Sequence, residues 1–147
     1  MSDVPLREVY TDVFEHSFDD KGRITVPAEW RSEAHERRLH VMPSNDGCLK
    51  VYPASYLSEQ RLKLAGVPVG DPRRKRLEDL ARVIQSVEFD QQGRVMIKPR
   101  LRKGADLNKL VVLAGSLDHF EIWDRKKWEE RGAGGCSFED VAREVGW

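Results

Sequence analysis

Apolar and polar positions along this chain fall into two similar runs. Positions 18–27 read "FDDKGRITVP" and positions 89–99 read "FDQQGRVMIKP", an offset of 71. Within each, apolar and polar residues alternate through "RITV" or "RVMI", the period of a half-buried strand. A glycine precedes the arginine, where a tight turn needs positive φ. The offset continues without a gap from about residue 16 to residue 57. Phe18 matches Phe89, Asp19 matches Asp90, Gly22 matches Gly93 and Arg23 matches Arg94. Further on, Arg31 matches Arg102, Ala34 matches Ala105, Leu39 matches Leu110 and Val41 matches Val112. Ile24 with Val95, Val26 with Ile97, Val51 with Ile122 and Tyr52 with Trp123 are conservative matches on the same register. Chance rarely sets so many matches on one offset, so the chain contains an internal repeat.

Each copy predicts the same elements. A short strand ends at Phe-Asp, a turn follows, and a second strand completes a hairpin. A helix comes next. In the first copy Pro27 opens it, and "AEWRSEAHERR" supplies good helix formers. In the second copy Lys98 separates Ile97 from Pro99. A second hairpin follows, "LHVMPSNDGCLKVY" or "LVVLAGSLDHFEIW", and then a helix start at "PASYLSEQRLKL" or "DRKKWEER". Between the copies, "AGVPVGDP" at 65–72 is loop punctuation. Leu77, Leu80, Ala81 and Ile84 then recur at helical spacing, which predicts an amphipathic helix over 73–85. Near the end, "GAGG" at 132–135 reads as a flexible joint. Ser137 and Asp140 stand at capping-box spacing and open a last helix.

A copy of about 40 residues is too small to bury a stable core by itself. Two copies can cover each other's apolar faces. The expected fold is therefore mainly β with short helices (α+β): one intertwined, barrel-like body with internal pseudo-two-fold symmetry. Its parts are repeat 1 (12–57), an inter-repeat helical linker (58–86), repeat 2 (87–130) and a C-terminal tail with a helix (131–147). Trp30, Tyr52, Trp123 and Trp128 match or flank matched apolar positions, so they read as core or subunit interface.

Composition adds bounds. The 147 residues are 39% hydrophobic and 34% charged, which fits one modest core under a charged surface. No apolar run approaches the ~18–20 residues that span a bilayer. The start, "MSDVPLREVYTDVF", has acids and a proline where a signal peptide needs a basic start and an apolar core. A cytoplasmic location is expected. Cys48 and Cys136 form no Cys-x-x-Cys pair and read as two reduced thiols. The net charge is zero, but it is unevenly spread. Residues 1–30 hold 3 basic and 7 acidic groups, whereas residues 61–103 hold 12 basic and 5 acidic. The positive stretch includes "RRKR" at 73–76 and the second copy of the repeated motif.

Little in the chain suggests catalysis. His16, His35, His40 and His119 fall at no metal-ligand spacing, and no Ser/His/Asp or Cys/His order stands out. Neither an enzyme nor a metal, cofactor or small-molecule substrate is expected.

The doubled Asp-x-x-Gly-Arg turns, the offset of 71 and "VVLAGSLDHFEIWDRKKW" together resemble the MraZ family, bacterial transcriptional regulators built from two AbrB-like swapped-hairpin units. The resemblance spans roughly residues 12–130. It implies an AbrB-like, double-ψ or swapped-hairpin barrel made by the two repeats. It also implies a DNA-binding repressor of the division and cell-wall gene cluster that includes its own gene. Such a protein binds tandem direct repeats in promoter double-stranded DNA and forms a homo-oligomer, a closed ring, associated with the nucleoid.

The residues have physical reasons to suit that role. A two-stranded β-ribbon fits the major groove, and an arginine beside a tight turn can reach a guanine edge bidentately or clamp a phosphate. Arg23 and Arg94 hold that place. Lys21 suits a phosphate contact, while Lys98, Arg100 and Arg102 extend the positive charge beyond the second turn. Asp19 and Asp90 face a polyanion poorly, so their expected role, with Gly22 and Gly93, is to build the turns and orient the arginines. The competing reading of each arginine is a purely structural pair with its own aspartate. For the whole chain, the competing class is an oligomeric protein-interaction module of antitoxin type.

Overall fold

The computed structural model of the chain describes residues 7–132 and 135–146. Residues 133 and 134, half of the expected "GAGG" joint, lie outside the described residues. The first unit contributes β1 (Val13–Ser17), β2 (Arg23–Thr25), a single 3-10 turn (Ala28–Trp30), β3 (Arg38–Pro43), β4 (Leu49–Pro53) and α1 (Ala54–Lys63). α2 (Pro72–Val83) links the units. The second unit contributes β5 (Gln85–Glu88), β6 (Arg94–Met96), α3 (Pro99–Gly104), β7 (Leu110–Gly115), β8 (Phe120–Asp124) and α4 (Arg125–Glu130), and α5 (Phe138–Val145) follows. The protein is mainly antiparallel β with short helices, as its pattern predicts.

The strands form a six-stranded sheet in the order β1-β7-β8-β4-β3-β5 and a separate two-stranded ribbon, β2-β6. Exchanging the two units reverses the sheet order and leaves it unchanged. The swap is carried by the outer strands: β1 of the first unit pairs with β7, and β5 of the second pairs with β3. Consequently the first expected hairpin of each copy is only a turn. Its two flanking strands do not pair with each other but with the opposite unit. β3-β4 and β7-β8 are true local hairpins, joined across the pseudo-two-fold by β4-β8.

The core belongs to neither unit alone. Phe18, Ile24, Val26, Trp30, Leu49 and Val51 pack with Phe89, Val95, Ile97, Leu101, Phe120 and Ile122, their equivalents at the offset of 71. Trp30 stacks on Phe120 with ring centroids 4.7 Å apart, and its indole N–H donates to the Thr11 carbonyl at 2.9 Å. A smaller cluster of Cys48, Val112, Ala114 and Trp123, with Trp128 against it, covers the other face of the sheet.

Two expectations give way. The gapless register fails in β3 and β7. These strands span Arg38–Pro43 and Leu110–Gly115, an offset of 72, whereas β4 and β8 keep 71. The second unit has one more residue before β7 and one fewer between β7 and β8. Because strand side chains alternate with period two, a one-residue slip turns every side chain to the other face. Leu39 is buried while Leu110 is exposed, and Val41 and Val112 lie in different clusters. The matches of Leu39 with Leu110 and of Val41 with Val112 are thus not structural equivalences.

The other is the helix over "AEWRSEAHERR", which shrinks to the one 3-10 turn. Helix propensity is a weak prior against tertiary demands. Here Trp30 is drawn into the core, Arg31 turns back to donate to the Val26 carbonyl, and the Ser32 hydroxyl bonds His35 Nδ1 at 2.7 Å. In the second unit the matching segment keeps the short helix α3, whose first residue is Pro99. The remaining helices form where periodicity and capping place them. α2 has Asp71 as its N-cap, and α5 has the Ser137–Asp140 capping box.

Candidate nucleic-acid interface

Each repeated turn is built by its aspartate. Asp19 Oδ1 accepts from the backbone N–H groups of Lys21 at 2.9 Å and Arg23 at 2.8 Å, while Oδ2 accepts from Arg23 Nε at 2.7 Å. Asp90 repeats the pattern. Its Oδ1 accepts from the Gln92 and Arg94 N–H groups, both at 2.9 Å, and its Oδ2 from Arg94 Nε at 3.0 Å. The Arg23 and Arg94 backbone N–H bonds, aided by the guanidinium groups, hold both carboxyls below the usual aspartate range. Both stay ionised at neutral pH. Gly22 and Gly93 close the turns at φ +74° and +80°, where a side chain is disfavoured.

The turns then feed one ribbon. Arg23 pairs with Met96, Ile24 with Val95 and Thr25 with Arg94. Ile24 and Val95 point into the core. Alternation therefore puts Arg23, Thr25, Arg94 and Met96 on the opposite, outer face. Arg23 and Arg94 are diagonal neighbours across the ribbon, a spacing of about 7–8 Å between Cα atoms. The aspartate bonds occupy only Nε of each arginine. Among the described residues, the Nη groups of neither arginine have a hydrogen-bond partner, so both remain for an incoming acceptor.

The other candidates divide. Lys21 stands exposed in the first turn; Gln92 takes its place in the second. Lys98 is exposed, and its backbone N–H donates to Gln85 Oε1 at 2.9 Å. Arg100 donates to the Val83 carbonyl at 2.8 Å at the end of α2. Arg102 is half-buried and structural in its contacts. Its Nε donates to the Ile97 carbonyl at 3.1 Å, and its guanidinium lies 5.7 Å from the Phe18 ring centroid and against Gly22 of the first unit.

Three residues outside the expected set support the ribbon. Arg31 mirrors Arg102 and lies against Gly93 of the second unit. The offset of 71 already paired it with Arg102, so the signal was present. Gln85 is buried, and its amide spans β5 and the end of β6, donating to the Met96 carbonyl at 2.8 Å. Met96, 45% exposed, completes the outer face. A single Gln and a single Met carry no pattern in sequence.

Away from the ribbon, Glu121 and Cys48 are held in structural contacts. Glu121 accepts from His119 and from Trp123 Nε1, and these bonds, His119 first, lower its pKa. Burial pushes the Cys48 thiol up to about 11, so it is not a reactive thiolate at neutral pH. Among the described residues, no group of three His, Cys, Asp or Glu side chains could hold a metal ion.

A two-unit, strand-swapped β protein with paired Asp–Arg turns on one outer ribbon is the class this geometry defines. Comparison with known proteins gives the family. Residues 9–68 and 81–135 match the family described as "MraZ protein, putative antitoxin-like". The chain is 36% identical over 135 residues to the transcriptional regulator MraZ of Oenococcus oeni, covering 90% of this chain and 93% of that protein. It is 39% identical over 122 residues to the protein of the same name from Pediococcus pentosaceus, covering 80% and 82%. With that of Methylococcus capsulatus it shares 40% over 117 residues, 77% of each. The chain belongs to the MraZ family. These relatives are named as regulators of transcription and not as enzymes.

Proposed function

We propose that this protein is a DNA-binding transcriptional regulator that reads promoter DNA with the outer face of the β2-β6 ribbon. The observation that carries the reading is the placement of Arg23 and Arg94 on one face, each oriented by its own aspartate through Nε, with no partner for its terminal nitrogens among the described residues. A two-stranded ribbon enters the major groove, and each bidentate arginine–guanine contact is worth roughly 1–3 kcal/mol of discrimination. Lys21 and Lys98 serve as phosphate contacts at the flanks, with Arg100 beside them. Arg102 supports the first turn from beneath.

The target is an array of tandem direct repeats upstream of the division and cell-wall gene cluster containing this protein's own gene, which the protein represses. A chain of zero net charge neutralises few phosphates, so one ribbon alone binds weakly. A homo-oligomeric ring, presenting one ribbon per subunit to successive repeats, converts weak contacts into avidity. The protein works in the cytoplasm, associated with the nucleoid.

Fluorescence anisotropy with DNA from upstream of its own gene, against scrambled DNA, tests the reading. Specific binding that weakens with salt and is lost in Arg23→Ala and Arg94→Ala supports it. Binding indifferent to both substitutions refutes the role of the ribbon. The words "antitoxin-like" in the family description favour a second reading, a protein-interaction module. Copurification of a small partner protein, with no DNA binding, is its distinguishing result.

A further inference from the structure

The β2-β6 ribbon has two equivalent ends. Ile24 faces Val95 at its centre, and the residues on either side exchange at the offset of 71. Its backbone closes symmetrically. Ile97 donates its N–H to the Gly22 carbonyl at 3.0 Å, and Val26 donates to the Gly93 carbonyl at 2.7 Å. Each end therefore joins the turn of one unit to the segment that follows the other unit's strand. The first end holds the Gly22 turn, Arg23 and residues 97–104. The second holds the Gly93 turn, Arg94 and residues 26–33.

The charges break this symmetry. At the first end, Lys21 of the turn is joined by Lys98, Arg100 and Lys103 of the opposite unit, all of them exposed. Their equivalents at the second end are Gln92, Pro27, Glu29 and Ser32, and Glu33 comes next. Arg102 and Arg31 are themselves equivalent, lie against the two turns alike, and cancel. With Asp20 set against Lys21, the first end keeps a clear positive excess, while Glu29 and Glu33 make the second end negative. Among the described residues, none of Lys21, Lys98, Arg100, Lys103, Glu29 and Glu33 forms an ion pair. The difference between the ends is thus left for a partner to meet.

A polyanion meets these ends unequally, attracted to the first and repelled by the second. Phosphates look alike along a duplex and carry no sequence, so a cluster of cations reads no base. It decides instead which arginine is pressed against the base edges. We propose that Lys21 of the first unit and Lys98, Arg100 and Lys103 of the second form one composite phosphate clamp that seats duplex DNA at the Arg23 end of the ribbon, making Arg23 the dominant base reader and Arg94 the lesser. This rests on the DNA-binding reading above and adds Lys103 to its contacts. It also lets a ribbon of symmetric backbone read an asymmetric site, because a guanine under Arg23 counts for more than one under Arg94. Each bound ribbon then has a direction along the duplex, as direct repeats require.

Fluorescence anisotropy of the full-length protein tests the clamp, with a labelled duplex from upstream of its own gene and a scrambled duplex of equal length, across a series of KCl concentrations. Each phosphate contact adds about 0.9 to the slope of log K against log salt. The triple variant Lys21→Ala, Lys98→Ala, Lys103→Ala should flatten that slope by roughly 3 or more on both duplexes. Arg100 is left in place because it also bonds the Val83 carbonyl. Glu29→Gln with Glu33→Gln should leave the slope unchanged, since that end stands off the phosphates. Both arginine variants should lose affinity for the upstream duplex, Arg23→Ala by at least about fivefold more than Arg94→Ala, the lower bound for one bidentate guanine contact. All the substituted lysines and glutamates are exposed, so circular dichroism should match the parent throughout. Equal losses in the two arginine variants overturn the proposal. So does a triple variant with the parent's slope, or a glutamate variant that shifts the slope as much as the triple does. A parent that binds no DNA overturns the DNA-binding reading and the clamp together, whereas a parent that binds through two equal arginines overturns the clamp alone.

Discussion

Arg31 of the first unit lies directly against Gly93 of the second, so that a Cβ placed on Gly93 would overlap the Arg31 Nε, Cζ and Cδ atoms. The same arginine donates to the Val26 carbonyl at 2.8 Å, and Val26 in turn donates its N–H to the Gly93 carbonyl at 2.7 Å. Arg102 and Gly22 repeat the arrangement, with Ile97 in the place of Val26. Each turn that presents an outer-face arginine is thus seated on an arginine of the opposite unit.

Replacing Gly93 by Ala should therefore cost more than left-handed strain alone. Gly66 provides the control, because it has φ +86° and a Cβ added there would meet nothing within 4 Å. Gly66→Ala should lower stability by about 1–2 kcal/mol, the cost of αL for a residue with a Cβ. Gly93→Ala should lose a further ~1 kcal/mol as Arg31 is pushed off the Val26 carbonyl. Urea midpoints of the two variants check the difference. Equal losses would mean that Arg31 gives way freely.

The repeated arginines should separate by role. Arg102→Ala removes a hydrogen bond to Ile97 and a cation–π contact with Phe18, a loss of about 1–2 kcal/mol of stability. Arg23→Ala removes a solvent-screened surface pair and should cost less stability than that. The DNA reading predicts the opposite order in binding: Arg23→Ala should abolish specific binding, and Arg102→Ala should weaken it only as the first turn loosens. Denaturation and anisotropy on the same preparations check both orders.

Trp30 is 2% exposed and touches the rings of Tyr10, Phe14 and Phe120. Trp30→Ala should cost about 3–5 kcal/mol. Trp30→Phe should cost less, retaining ring packing but leaving the Thr11 carbonyl without its indole donor. Thermal melts by circular dichroism rank the two. An exposed-site magnitude for Trp30→Ala would contradict a shared core centred on this ring.

Stability should fall as the pH drops below about 6.5, before the carboxylates titrate. Burial lowers the pKa of both His16 and His40 in the folded chain. Between the lowered folded value and the ordinary value of about 6.5, the unfolded chain binds more protons than the folded one, so stability rises with pH across that window. Melting temperatures should be flat above pH 7 and decline toward pH 5. A His16→Gln, His40→Gln double variant should show a shallower decline. Asp19 and Asp90 act in the same direction but at more acidic pH. Their folded pKa values are depressed, so what they contribute is lost only as pH falls below the normal aspartate range.

Much of this protein is written in its linear pattern. The glycines with positive φ, the aspartate-built turns, the capping box of α5 and the alternating strands depend on neighbours a few residues away, and local rules find them. The offset of 71 likewise paired Arg31 with Arg102 and Phe18 with Phe89 correctly. Three features depended on contacts between distant segments. Propensity favoured a long helix after Pro27, but burial of Trp30 left one turn of it. The gapless repeat hid a one-residue slip in β7, because Leu110 and Val112 look as apolar as Leu39 and Val41, and only strand pairing decides which face is buried. The two arginines, 71 positions apart, read as belonging to two separate hairpins. Sequence determined that each would follow a tight turn beside an aspartate. Only the pairing of β2 with β6 set them on one face of one ribbon, because a strand of three residues cannot bury its apolar side chain or satisfy its backbone until the opposite unit supplies the partner.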